Sequence, residues 1–277
     1  MPKRGNKRLG GKGDDDGEAS VCSGSQTFRG RSPGGSDGED VPQDDVKYYC
    51  EMLSERRGAT RESGLSGLMS RMRKQVISEE LEDHGVEVAE GILACLKKGG
   101  AREAVLAAET MAVLFISLQE DCAAVYSEVE GVLLDLLRSH KQAAVRAKIG
   151  HAMALGSFVS GEDPVDSSAL MTRLLRLALP EDANKDVAAP HLEAWSLLAS
   201  ALPDGYVADR ATMWLLSLEG PMDHKEVEVR MAAITCASII YEACHRLGED
   251  VAQRVVDEVA AKESWEPQTE GVEEEEE

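Results

Sequence analysis

Aromatic residues are scarce: three Phe, three Trp and five Tyr in 277 residues. β-Sandwiches and base-stacking sheets draw on aromatic and β-branched side chains, so this composition disfavours both. Long apolar runs are also missing. The most apolar stretch, Met111 to Leu118, has eight residues and follows closely on Glu109, whereas a membrane span needs about 20. The N-terminus, Met1 to Gly13, is basic but has no apolar h-region, so it does not read as a secretory signal. Basic charge is outweighed: 30 Lys and Arg stand against 51 Asp and Glu, a formal net charge of −21. That balance argues against wrapping duplex nucleic acid by bulk charge. The six cysteines contain no CxxC pair, and Cys95, Cys122, Cys236 and Cys244 fall in apolar helical stretches. A free thiol there behaves as a small hydrophobe. The pattern suits a soluble protein of a reducing, intracellular compartment.

Signatures of chemistry are missing as well. His84, His140, His151, His191, His224 and His245 include no HExxH and no pair four residues apart, so a metal site would need distant segments to converge. Gly10-Gly11-Lys12-Gly13 lacks the strand, the helix and the Lys-Ser/Thr that a phosphate loop requires. Ser66, between Gly64 and Gly67, misses the GxSxG spacing and sits in a predicted helix. Glu79-Glu80 and Glu82-Asp83 read as solvated helix faces. Cys236 and Cys244 lie on one helix about 12 Å apart along its axis, too far for a disulfide. The reading is therefore no enzyme, with no catalytic, metal-binding or cofactor-binding residue.

What is present is helix after helix. Val88, Ile92 and Leu96 step by four, as do Val125, Val129 and Leu133, and Val251, Val255 and Val259. This spacing puts each trio on one helix face. Breakers separate the segments at Gly99-Gly100, Gly161 to Pro164, Pro180, Pro203 to Gly205 and Gly220-Pro221. A small-residue helix is expected at 59–75, 101–118, 143–159, 188–202 and 226–246. Each is followed by a Leu-rich or Val-rich helix at 85–97, 125–139, 166–179, 206–218 and 249–262. Arg61, Val105, Arg146, Pro190 and Arg230 take matching places in the first helices, at spacings of 44, 41, 44 and 40. A period of about 40–47 residues with two or three helices marks HEAT and armadillo arrays. The expected fold is all-α: an armadillo/HEAT-like α-solenoid of about five helical repeats with disordered termini. A helix at 44–57, with Asp44 and Asp45 at its start, would cap it. Gly64 and Gly67 read as close-packing positions.

Three regions follow. Residues 1–43 hold seven basic and seven acidic residues among Gly and Ser; with little to bury, they are expected to be disordered. Lys3-Arg4 and Lys7-Arg8 in this tail fit a nuclear signal, a phosphate-contacting tail or simple solubilisation. Residues 44–262 form the helical repeat domain, with a net charge of −13. Residues 263–277 contain eight Glu and no Lys or Arg, a run that repulsion keeps extended.

Solenoids bind partners along concave faces lined by one helix of each repeat. On the second helices, Lys97, Lys98, Arg138, Arg173, Arg176 and Arg254 form a candidate basic ladder for RNA or an acidic peptide. Helix-dipole complementarity accounts for Lys97, Lys98 and Arg138 without any ligand. Trp195 and Trp214 read as core, while Trp265, past the last apolar stripe, is a candidate partner contact.

Several segments carry a resemblance. Cys95-Leu96-Lys97-Lys98-Gly99 runs into an Ala-rich helix, Trp195-Ser196-Leu197-Leu198 precedes Pro203, and Val229-Arg230-Met231-Ala232-Ala233 leads to Ile239-Ile240-Tyr241-Glu242. Together with the opening Met1-Pro2-Lys3-Arg4, these resemble the interferon-related developmental regulator family over roughly residues 44–250. The resemblance implies an armadillo-like fold without catalytic activity. It also implies transcriptional co-regulation within deacetylase-containing complexes or, as in one vertebrate branch, occupation of the tRNA sites of inactive ribosomes. The family pattern includes a further short C-terminal domain, where this chain runs into glutamates, and no individual functional residue carries over. The partners implied are proteins of chromatin or transcription complexes or ribosomal components, with RNA contact through the basic residues and no membrane. The implied location is nucleus and cytoplasm.

Overall fold

Ala-rich composition and well-placed breakers explain the local structure. In the computed structural model, which describes residues 45–161, 163–179 and 184–263, twelve α-helices and one 3₁₀ turn follow one another. The chain divides into two units, Met1–Asp40 and Val41–Glu277, and all described residues belong to the second. The tail expected at 1–43 lies outside the described residues, as does the acidic tail from 264 onward with Trp265, while Glu263 is the last residue of a helix.

The helices are α1 (Val46–Ser54), α2 (Gly58–Lys74), α3 (Ser78–Lys98), α4 (Ala101–Leu118), α5 (Cys122–Ser139) and α6 (Ala143–Ser160). There follow α7 (Pro164–Ala178), α8 (Lys185–Ala201), α9 (Asp204–Ala208), α10 (Ala211–Met222), α11 (Val227–Leu247) and α12 (Glu249–Glu263). The expected alternation is present: α2, α4, α6, α8 and α11 are the small-residue helices, and the others between them and after α11 are the second type.

Local chemistry sets the ends. Gly161 adopts a left-handed φ of 62° and closes α6 by donating its N–H to Phe158 O. The Asp163 carboxylate accepts the Val165 N–H at 2.8 Å, with Pro164 opening α7. Asn184 caps α8 through the Asp186 N–H at 2.9 Å. Asp45 stands at the N-cap of α1, but its side chain makes no cap hydrogen bond.

Three boundaries differ from the sequence reading. α3 begins at Ser78 rather than at 85, because Gly85 is an interior packing site; a Cβ there would lie 2.8 Å from Leu118 Cδ2. The expected 206–218 helix divides into α9 and α10, where Arg210 turns back to stack on Tyr206, 3.6 Å from the ring centroid. Pro221 does not break α10. It sits in the last turn, where Asp223 and His224 donate to Gly220 and Pro221 carbonyls in short-range bonds.

The packing is modular. α2, α4, α6, α8 and α11 each lie close against the next, forming one tight row. On the other side α3 and α5 touch more loosely, and α5, α7 and α10 stand further apart. A stack with one tight and one splayed row bends toward the tight one, so the small-residue helices form the inner row. Each second helix packs most closely on the first helix of the following repeat, as α3 on α4, α5 on α6 and α7 on α8. One continuous apolar core runs from Val46 to Val255. Val88, Ile92 and Leu96 are fully buried in it, as is Leu133, with Val125 and Val129 nearly so. Trp195 and Trp214 meet edge to face inside it, 5.2 Å between centroids.

The matched arginines do the same work in three repeats. Arg61 donates to Glu55 O, Arg146 to His140 O and Arg230 to His224 O, each bond spanning six residues and tying the loop to the helix. Two of these loops share a fuller motif. In His140-Lys141-Gln142-Ala143-Ala144-Val145-Arg146 the Gln142 N–H donates to His140 Nδ1, and in His224-Lys225-Glu226-Val227-Glu228-Val229-Arg230 the Glu226 N–H donates to His224 Nδ1. Arg61 also forms a two-pronged ion pair with Glu103 across α2 and α4, at 2.6 and 3.0 Å.

Candidate partner-binding surfaces

The inner row presents a groove of about 400 Å³ running over α4, α6 and α8. Its floor is apolar: Ala112, Val113 and Ile116 from α4, Leu155 from α6 and Leu197 from α8. Ile116 is half exposed, at 51%. Charges of both signs border the floor. Lys148 Nζ pairs with Glu109 at 2.8 Å, and His151 Nε2 faces Glu193 at 3.5 Å. Burial pulls the His151 pKa below its ordinary value, against the opposing influence of Glu193. The groove exists because inner-row neighbours come close through small residues, leaving longer side chains to stand along its sides.

Between α6 and α8 lies a buried polar site. His191, fully buried, places Nε2 3.3 Å from Arg146 O. A carbonyl only accepts, so Nε2 carries the proton, and Nδ1 has no partner among the described residues. Burial pushes the His191 pKa down to about 4. Gly150 leaves room for this ring; a Cβ there would lie 2.7 Å from His191 Cδ2.

The basic residues lie elsewhere. Lys97 and Lys98 occupy the last turn of α3, Arg138 that of α5 and Arg176 that of α7, all exposed, with Arg173 half buried one turn earlier. They therefore mark the C-terminal ends of consecutive outer-row helices rather than the inner groove. Arg254 is exposed on α12. None of the six makes an ion pair with another described residue, but Glu90 and Glu128 share the shallow groove that holds Lys97 and Lys98.

The buried thiols are chemically quiet. Burial pushes Cys95 up to about 11 and Cys236 up to about 12, so both stay protonated. Among the described residues no group of three His, Cys, Asp or Glu is placed to hold a metal ion, and no helix is long and apolar enough to cross a membrane. The groove residues escaped the sequence reading. Ala112 and Ile116, or Lys148, His151 and Leu155, show helical spacing, but so does the core, and nothing in the spacing says which face is covered.

Comparison with known proteins agrees with this architecture. The crystal structure of an engineered protein superposes with a TM-score of 0.52 at 15% identity, covering 78% of this chain and 95% of the other. That likeness concerns the fold alone. Interferon-related developmental regulator 2 from Mus musculus is 22% identical over 223 residues, 75% of this chain and 51% of the mouse protein. The chain thus spans about half the length of this curated relative. The model of the interferon-related developmental regulator family matches residues 18–274, nearly the whole sequence, and the chain belongs to that family.

Proposed function

We propose that this protein is a non-enzymatic helical-repeat scaffold that binds protein partners in gene regulation, as a transcriptional co-regulator of nucleus and cytoplasm. The observation that carries the reading is the inner groove. Its apolar floor, framed by Lys148, Glu109, His151 and Glu193, suits an amphipathic peptide or helix that buries one face and satisfies charges at its margins. No group along it has the pairing of nucleophile and base that catalysis would need. Family membership supports a regulatory role. Affinity purification of the tagged full chain, beside Ile116→Asp and Leu197→Asp variants, tests it. Loss of a reproducible set of transcription-complex partners with retained folding supports the reading; an unchanged partner set refutes it.

A second reading has its own observation. Lys97, Lys98, Arg138 and Arg176 are exposed on successive outer helices without ion-pair partners among the described residues, an arrangement that suits ribosomal RNA or an acidic ribosomal surface. Ribosome co-sedimentation that falls with salt and disappears on charge reversal of Arg138, Arg173 and Arg176 favours it. Association that ignores both returns the case to the scaffold.

A further inference from the structure

The inner groove does not stop at α8. A second hollow of about 410 Å³ lies between α8 and α11, and Glu193 borders both. Its other walls include Ser196 from α8 and Val227, Glu228, Met231 and Thr235 from α11. Aliphatic surface and carboxylates stand together there, with no Lys, Arg or His among the described residues that line it. The corresponding seam between α4 and α6 is closed by a lysine: Lys148 Nζ pairs with Glu109 at 2.8 Å. The shared His-Lys loop motif aligns Arg146 with Arg230, which sets Lys148 against Ala232 and His151 against Thr235. Glu193 stands as many residues before Ala232 as Glu109 does before Lys148. The seam between α8 and α11 thus keeps the carboxylate and lacks the cation. Among the described residues the one ion-pair partner of Glu193 is His151, at 3.5 Å, and burial draws the His151 pKa below its ordinary value. At pH 7 that ring is neutral, so Glu193, 61% exposed, keeps an uncompensated charge. Glu228 on the far wall is already engaged by Lys185 at 3.9 Å, which leaves Glu193 as the open carboxylate.

We propose that the hollow between α8 and α11 takes a lysine or arginine side chain from an amphipathic helical segment of a protein partner, and that Glu193 selects it. The site extends the proposed peptide groove and depends on that reading, to which it adds the sign of the partner's charge. The aliphatic stem lies along Val227 and Met231, both more than half exposed, and the cationic head takes the place that Lys148 Nζ holds beside Glu109. Three inner-helix steps of about 8–10 Å separate α4 from α11, a span that a helix of about 18 residues matches at about 27 Å. The apolar face of such a helix covers Ile116 and Leu197. The net charge of −13 over residues 44–262 draws a basic segment toward this surface and repels an acidic one.

Fluorescence anisotropy tests it, with the full chain and a labelled helical peptide of about 18 residues that has leucine on one face and lysine on the other. Binding is expected, and the same peptide with glutamate for lysine should not bind. Glu193→Gln should weaken binding roughly tenfold. Asp135→Asn, the same charge change at an exposed site on α5, should leave it within about twofold. Ala232→Lys should fill the hollow from within, as Lys148 does in α6, and weaken binding as much as Glu193→Gln, with helical content unchanged by circular dichroism. Absence of binding by the lysine peptide, equal binding of the two peptides, or equal effects of Glu193→Gln and Asp135→Asn would each overturn the proposal. Affinity purification judges the groove separately: partners lost on Ile116→Asp and Leu197→Asp but kept on Glu193→Gln reject this pocket and leave the groove standing.

Discussion

The two rows of helices solve one packing problem with different residues. Along the inner row, α4, α6 and α8 come close through Ala, Gly and Ser, and α6 in particular has neighbours on nearly every side. Along the outer row, α5 and α7 keep a single apolar stripe, Val125, Val129 and Leu133 on one and Leu170, Leu174 and Ala178 on the other, with charged residues facing water. A helix that is small and apolar all round must be enclosed, whereas a striped one needs only one partner. The inner row should therefore be intolerant of added volume or lost polar partners, and the outer row forgiving.

The largest expected breach of the inner row is at the α2–α4 seam. The Glu103 side chain is only 3% exposed and is held by Arg61. Arg61→Ala would leave that carboxylate buried without its counter-charge, and would release the loop carbonyl of Glu55. Unfolding in urea should show a loss of about 3–4 kcal/mol. Arg246, which pairs with Asp204 and Glu242 at an exposed site, is the contrasting case, and Arg246→Ala should leave the urea midpoint nearly where it was. A comparable loss at both sites would mean that burial of the Glu103 carboxylate is not what makes the α2–α4 pair costly to break.

Much of this was legible in the sequence, for a physical reason. Helix order and period follow from local spacing and breakers, and Arg61, Arg146 and Arg230 align by counting alone. Their common task was not legible, because a bond from Arg146 to His140 O depends on how the loop folds back. The assignment of inner and outer rows was hidden for a related cause. The run Met111 to Leu118 is the most apolar stretch of the chain, yet Ile116 stands half exposed in the groove, since exposure depends on where α6 and α8 lie. Lys97, Lys98 and Arg138 were legible as helix ends, and that is where they lie; Arg176, not so read, also stands in a last turn, that of α7.

Acid should loosen the inner row next. His191 is neutral and buried, with a pKa lowered to about 4 against about 6.5 in the unfolded chain. Below 6.5 the unfolded chain binds a proton that the folded one refuses, so stability is full above that pH and is lost as pH falls toward 4. The loss approaches about 3 kcal/mol for this residue. The groups facing it, Arg146 and His151, are cationic or become so in acid, which works in the same direction. His191→Gln should flatten the slope of unfolding free energy between pH 6.5 and 4; an unchanged slope would assign acid sensitivity elsewhere.

A smaller effect comes from volume alone. Gly156 of α6 lies against the rings of Tyr126 and Phe115, and a Cβ there would collide with Tyr126. Gly156→Ala should cost about 2 kcal/mol through overpacking, despite the better helix propensity of alanine. A lowered melting temperature by calorimetry, with helical content preserved, is the expected record.

The outer row gives the opposite sign at the smallest scale. Gly131 of α5 is exposed and has nothing within 4 Å of where a Cβ would stand. Gly131→Ala adds no clash and removes the backbone entropy that a mid-helix glycine spends on folding, so it should stabilise by roughly 0.5–1 kcal/mol. The same chemical change thus separates the two rows: a methyl group in α6 meets an aromatic ring, and a methyl group in α5 meets water. Stabilisation at both glycines would mean that the inner row can yield, and that its close approach is a consequence of small residues rather than a requirement for them.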